Sequence, residues 1–228
     1  MPLIFLTILA VLAPFVDHPG ATANAPVIIG LHGRGDTPEG FSHLADRLGP
    51  QFHWLVPRGP LDFVQGPAGA VHCVPADPHH PRQMPGPACW FDRQTPDGGQ
   101  AALQEALELV DAQVRVAGKK PVALLGFSQG CMLAAHYVAA HPDRVRAVLC
   151  IGGMLLAPVH VPAGKHAVQV RFVHGKSDPM VPFASAQEAV ATLQKAGLRV
   201  TLTTHDGGHV IPAALTPELN AWLAAQLQ

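Results

Sequence analysis

The sequence predicts an α/β fold, a mainly parallel sheet with helices on both faces. Three observations carry that expectation. From residue 26 onward, short apolar runs alternate with longer segments of helical period. The runs are apolar at nearly every position, as strands buried on both faces are. The motifs rich in Gly, Ser, Asp and His fall directly after those runs, where a parallel sheet binds its ligands.

Composition sets the outer bounds. A chain of 228 residues reads as one domain. Lys+Arg 15 against Asp+Glu 16 leaves a net charge of −1 and a pI of about 6.9, which excludes a nucleic-acid binder working through a basic face. With 48% hydrophobic and 14% charged residues, the chain has ample material for a core. Gly 22 and Pro 23 are many for a globular domain, and they crowd into residues 57–99. There is no internal repeat.

Taken in order, residues 26–31 (PVIIGL) form the first buried strand and end in His-Gly-Arg-Gly. Residues 41–48 carry Phe41, Leu44, Ala45 and Leu48 at helical spacing, and 53–56 make a second strand. Residues 57–99 show neither period and read as a long functional loop inserted in the domain. Helical order returns at 100–116, where Leu103, Leu107, Val110 and Val114 form one stripe, closed by Gly118. Residues 122–125, 145–151, 168–173 and 200–204 are further strands. Helices are expected at 129–140, at 185–196 before Gly197, and at 216–227 with Pro217 at its start.

The N-terminus stands apart. Residues 3–16 (LIFLTILAVLAPFV) are almost wholly apolar but fall short of the ~20 needed for a membrane span. Ala21-Thr22-Ala23 and Ala23-Asn24-Ala25 both fit a leader-cleavage site, although no Lys or Arg precedes the apolar run. Residues 1–25 are therefore expected to be an export leader, with the domain at 26–228. A buried first strand or an apolar hairpin is the alternative. Cys73 and Cys89, both in the Pro-rich segment, would bridge in an oxidising compartment. Cys131 and Cys150 lie in apolar runs and read as small buried hydrophobes.

Gly126-Phe127-Ser128-Gln129-Gly130 follows a strand and opens a helix, the context of a nucleophile elbow. With four serines and 22 glycines, chance matches to that pattern number roughly 0.04. A serine hydroxyl needs a base, and the base needs an orienting acid. In such a fold these follow in the order Ser, acid, His, each after a later strand. Asp178, in His174-Gly175-Lys176-Ser177-Asp178-Pro179, follows the strand at 168–173 and is the expected acid. His209, in Asp206-Gly207-Gly208-His209, is the expected base; His205, His136 and His141 fit structural roles better. Asp206 is the rival acid, three residues before His209. A tetrahedral intermediate would need main-chain N–H donors, one from Gln129 and one from the loop His32-Gly33-Arg34-Gly35. That commitment leaves little room to read Arg34-Gly35-Asp36 as an adhesion tripeptide.

These segments resemble the phospholipase/carboxylesterase family. The match rests on Leu31-His32-Gly33-Arg34-Gly35-Asp36-Thr37, Gly126-Phe127-Ser128-Gln129-Gly130, Ser177-Asp178-Pro179-Met180-Val181-Pro182 and Gly208-His209, with Cys89-Trp90-Phe91-Asp92 similar to a W-F-D stretch of that family. The resemblance implies an α/β-hydrolase fold, a Ser128–Asp178–His209 triad and main-chain donors at Arg34 and Gln129. It implies hydrolysis of carboxylic esters, with thioesters or lysophospholipids as further candidates. Arg34 stands where the thioesterase branch commonly has Leu, and the stretch 66–88 is an insertion.

The insertion leaves a strand at the end of the sheet that carries Ser128, so residues 66–90 are expected to wall the site. Trp90 and Phe91 would offer apolar surface to an acyl chain. His72, Cys73, His79 and His80 lack metal-site spacing, and no metal, cofactor or phosphate loop is expected. A small ester or acyl compound is the expected partner. The competing reading is a catalytically silent hydrolase-fold protein that binds acyl ligands or a protein.

Overall fold

A computed structural model of the chain describes residues 15–66, 69–75 and 86–228. Its elements run, in order, β1 (Phe15–His18), β2 (Val27–Leu31), α1 (Pro38–Leu48), β3 (His53–Pro57), β4 (Leu61–Gln65), β5 (Val71–Pro75) and β6 (Ala88–Cys89). They continue with α2 (Gln100–Ala117), β7 (Val122–Phe127), α3 (Gln129–Ala140), β8 (Ala147–Ile151), β9 (Gln169–Gly175), α4 (Phe183–Lys195), β10 (Arg199–His205) and α5 (Thr216–Gln226).

Seven strands form the main sheet in the order β1-β3-β2-β7-β8-β9-β10. All neighbours are parallel except β1, which pairs antiparallel with β3 at the edge. The alternation of each strand divides its side chains between two cores. Val27, Ile29 and Leu31 join Val110 and Val114 of α2, Leu133 of α3 and Leu193 of α4 on one face. Ile28, Trp54 and Leu125 join Phe41 and Leu44 of α1 and Leu219 and Leu223 of α5 on the other. Both faces are covered, which is why these strands read as continuous apolar runs. The α/β expectation holds in its element order and in its parallel pairing.

Two expectations need correction. The segment 57–99 is not loop throughout, because β4 pairs antiparallel with β5 on one side and with β6 on the other. These strands are short and largely exposed, and they form through pairing across the segment rather than through a period of their own. Residues 1–14, the bulk of the expected leader, lie outside the described residues, and after them Phe15–His18 pairs with Trp54–Pro57. The sheet thus begins before the expected boundary at residue 26.

The second correction concerns sulfur. Cys131 and Cys150 are not free buried thiols but a disulfide joining the first turn of α3 to β8. Both side chains are buried, so their apolar surroundings were equally consistent with either state. The expected Cys73–Cys89 bridge is present and ties β5 to β6. Cys73 is thereby removed as a metal ligand, and His79 and His80 lie outside the described residues. Among the described residues no helix is long and apolar enough to cross a membrane.

Candidate active site

Ser128 sits where β7 breaks into α3, with φ 54° and ψ −115°. It is the non-glycine residue with positive φ among those described, a strained backbone that neighbours must enforce. Its N–H donates to Ile151 O at 2.8 Å, anchoring the turn to β8. Glycines are required on either side. A Cβ at Gly126 would lie 2.3 Å from Gly130 O, and one at Gly130 would lie 2.0 Å from Leu31 O. The G-x-S-x-G spacing thus reflects contact between the elbow and the end of β2.

Asp178 lies in the loop after β9 and His209 in the loop after β10. His209 Nδ1 lies 2.7 Å from Asp178 Oδ2. Asp178 Oδ1 accepts the N–H groups of Met180 at 2.8 Å and Val181 at 2.9 Å. Burial pushes the Asp178 carboxyl up, but the bonds from Val181, His209 and Met180 outweigh it and hold it below the usual carboxylate range. An ionised Asp178 accepts from Nδ1–H, fixing the tautomer that leaves His209 Nε2 as the basic nitrogen. Asp206, the rival, pairs instead with Lys176 Nζ at 2.9 Å on the surface.

Two further groups hold this pair, and sequence reasoning missed both. The buried His174 places Nε2 2.9 Å from Val181 O and 3.5 Å from Asp178 Oδ2, beneath the acid loop. Gly152, φ 64°, would bring a Cβ within 3.3 Å of His209 Nδ1 and Cε1. A larger residue there would push the imidazole aside. Only its place after a strand, at the same sheet end as the motifs, could have marked it.

The loop after β2 abuts the elbow, since a Cβ at Gly33 would be 3.7 Å from that of Ser128. Its support is His32, fully buried, whose Nδ1–H donates to Gly33 O at 2.8 Å and whose Nε2 accepts Gly59 N–H at 3.1 Å. Burial lowers its pKa to about 4, so the ring is neutral, as that bonding pattern demands.

Ser128 and His209 line one cavity of about 490 Å³ with Gly33, Arg34, Gln129 and Phe91. Phe63 of β4 and Val71 of β5 add to its wall, so the inserted segment does border the site. Phe91 lines this cavity. Trp90 does not line the cavity: it has no exposed surface, its N–H donates to Gln129 Oε1 at 2.8 Å, and its indole N–H donates to His32 O at 2.8 Å. Its indole N–H thus braces the loop after β2 while its backbone N–H is held by α3, and the ring lies in the core.

The fold and this sheet-end site define an α/β-hydrolase. A profile described as Phospholipase/Carboxylesterase matches residues 13–225, and the chain belongs to that family. Esterase YpfH of Escherichia coli is 27% identical over 86% of this chain and 80% of its own length. Esterase OVCA2 of Mus musculus is 31% identical over 68% of this chain and 74% of its own. Acyl-protein thioesterase 1 of Schizosaccharomyces pombe is 25% identical over 76% and 80%. Among solved structures, acyl-protein thioesterase 2 of Zea mays superposes with a TM-score of 0.73 at 19% identity, covering 95% of this chain and all 100% of that one. The Bacillus cereus carboxylesterase gives 0.71 at 18%, covering 93% of each. The chain is a carboxylesterase-type hydrolase.

Proposed function

We propose that the chain cleaves carboxylic esters through an acyl-enzyme on Ser128, with His209 as base and Asp178 as orienting acid. The observation that carries this reading is the Asp178–His209 bond at 2.7 Å beside a cavity that Ser128 also lines. Ser128 Oγ attacks the ester carbonyl while His209 Nε2 takes its proton. The oxyanion that develops is met by the main-chain N–H groups of Gln129, at the start of α3, and of Arg34. Collapse expels the alcohol, which receives its proton from His209. Water then attacks the acyl-enzyme by the same route in reverse, releasing the acid and restoring Ser128.

Oxygen esters of small acids are the substrate class put forward. Acyl thioesters and lysophospholipids are comparators, because the relatives include both esterases and thioesterases by name. A fluorophosphonate probe should label the protein on Ser128 and fail to label Ser128→Ala. Equal labelling of both would refute the nucleophile assignment. Turnover of 4-nitrophenyl esters of increasing acyl length, set beside an acyl thioester, then ranks the substrates.

A further inference from the structure

Two guanidinium groups border the cavity, those of Arg34 and Arg93. Neither has a carboxylate partner among the described residues. Arg34 is held in place by the inserted sheet: Nε donates to Cys73 Sγ at 3.4 Å, Nη2 donates to Val71 O at 3.3 Å, and the group lies 5.9 Å from the Phe63 ring centroid. None of these contacts neutralises it. Arg93 makes no hydrogen bond or ion pair among the described residues.

The acids nearby are committed elsewhere. Asp92, also on the cavity wall, accepts Cys73 N–H at 3.1 Å and Gln94 N–H at 3.0 Å. Asp178 serves His209 and two backbone N–H groups, and its side chain has no exposed surface. The rest of the wall is largely apolar, with Phe63, Val71, Phe91, Phe127 and Met132. A guanidinium stays charged throughout the working pH range, and apolar walls strengthen its field within a cleft.

We propose that Arg34 and Arg93 make this cavity select esters that carry a carboxylate away from the reacting carbonyl. Half-esters of dicarboxylic acids and acyl derivatives of hydroxy acids are of that kind. The inference rests on the hydrolase reading above. The planar fork of either arginine can take the carboxylate in two parallel hydrogen bonds, which also orients the ester.

The test uses two matched pairs. Mono-4-nitrophenyl glutarate against 4-nitrophenyl butyrate places the charge on the acyl side. Against phenyl acetate, 4-acetoxybenzoate places it on the alcohol side. The readout is the anionic-to-neutral ratio of kcat/KM. In at least one pair the ratio should fall about two- to fivefold in Arg93→Gln and in Arg34→Gln, the range for one exposed charge contact. It should fall further in Arg93→Glu, shrink with added salt, and survive in Arg34→Lys. Arg93 is exposed and makes no hydrogen bond or ion pair among the described residues, so its variants keep the test decisive even where Arg34→Gln is unstable. Ratios unchanged by all substitutions, with neutral esters still cleaved, would overturn charge selection alone. Failure of the wild type to cleave any ester would overturn the hydrolase reading with it.

Discussion

Gln129 grips the chain at Trp90 from both directions, accepting Trp90 N–H on Oε1 at 2.8 Å and donating from Nε2 to Phe91 O at 2.7 Å. The residue that follows Ser128 is thus bound through its side chain to the segment leaving the inserted sheet. Gln129→Ala would leave two buried backbone groups without partners, at about 1–3 kcal/mol each. Thermal unfolding should show a loss of several degrees, with kcat lowered on every ester. A variant with wild-type melting and turnover would show that the grip is dispensable.

Ser128→Ala and His209→Ala should each lower kcat by about 10⁴–10⁶, the range for groups that act as a unit. Asp178→Asn should also be severely impaired, because an amide can present its NH₂ to Nδ1 and favour the wrong tautomer. Asp206→Asn breaks only a surface pair with Lys176 and should retain near-normal kcat. The reverse pattern in the two aspartate variants would exchange their roles.

Acid should weaken the fold through His32. Its pKa is lowered from 6.5 to about 4 by burial, so between those values the unfolded chain binds a proton that the folded one does not. Stability therefore falls as pH drops from 6.5 toward 4, by roughly 3 kcal/mol from this ring alone. Chemical denaturation at steps across that window measures the slope. In His32→Asn the slope should be shallower, whatever the variant's absolute stability. An unchanged slope would assign the acid sensitivity elsewhere.

Thiol titration of the denatured, unreduced protein should find no free cysteine, because all four are paired. Replacing Cys131 and Cys150 by alanine reopens a link between residues 19 apart in sequence and should cost about 3 kcal/mol. Replacing Cys73 and Cys89 by serine should act differently, raising KM as β5 loosens from the cavity wall. Unaltered KM in that variant would mean that β5 holds its position without the bridge.

Much of the fold was legible because burial on both faces writes a strand as an unbroken apolar run, as in VALLGF and AVLCI. Ser128, Asp178 and His209 stand out in the sequence because each follows a strand at the same end of the sheet, and the elbow's spacing is forced by backbone contact. What stayed hidden depends on partners distant in sequence. β4 and β5 are strands only through each other and the bridge to β6. Trp90 reads as a substrate contact until its indole is seen to serve His32 O, 58 residues earlier. Gly152 carries no motif at all; only the approach of His209 from the last loop gives it meaning.

The antiparallel pairing of β1 with β3 bears on how the chain can be shortened. Cutting after Ala23 or Ala25 would strip Phe15–His18 from the border of the sheet. The outer hydrogen-bonding row of β3 would then stand open beside the apolar stretch Trp54-Leu55-Val56. An uncovered, flat, apolar border recruits strands from other molecules. A truncated form beginning at residue 26 should consequently self-associate, clouding as its concentration rises, where a form beginning at residue 13 remains dispersed. Light scattering on the two forms gives the comparison.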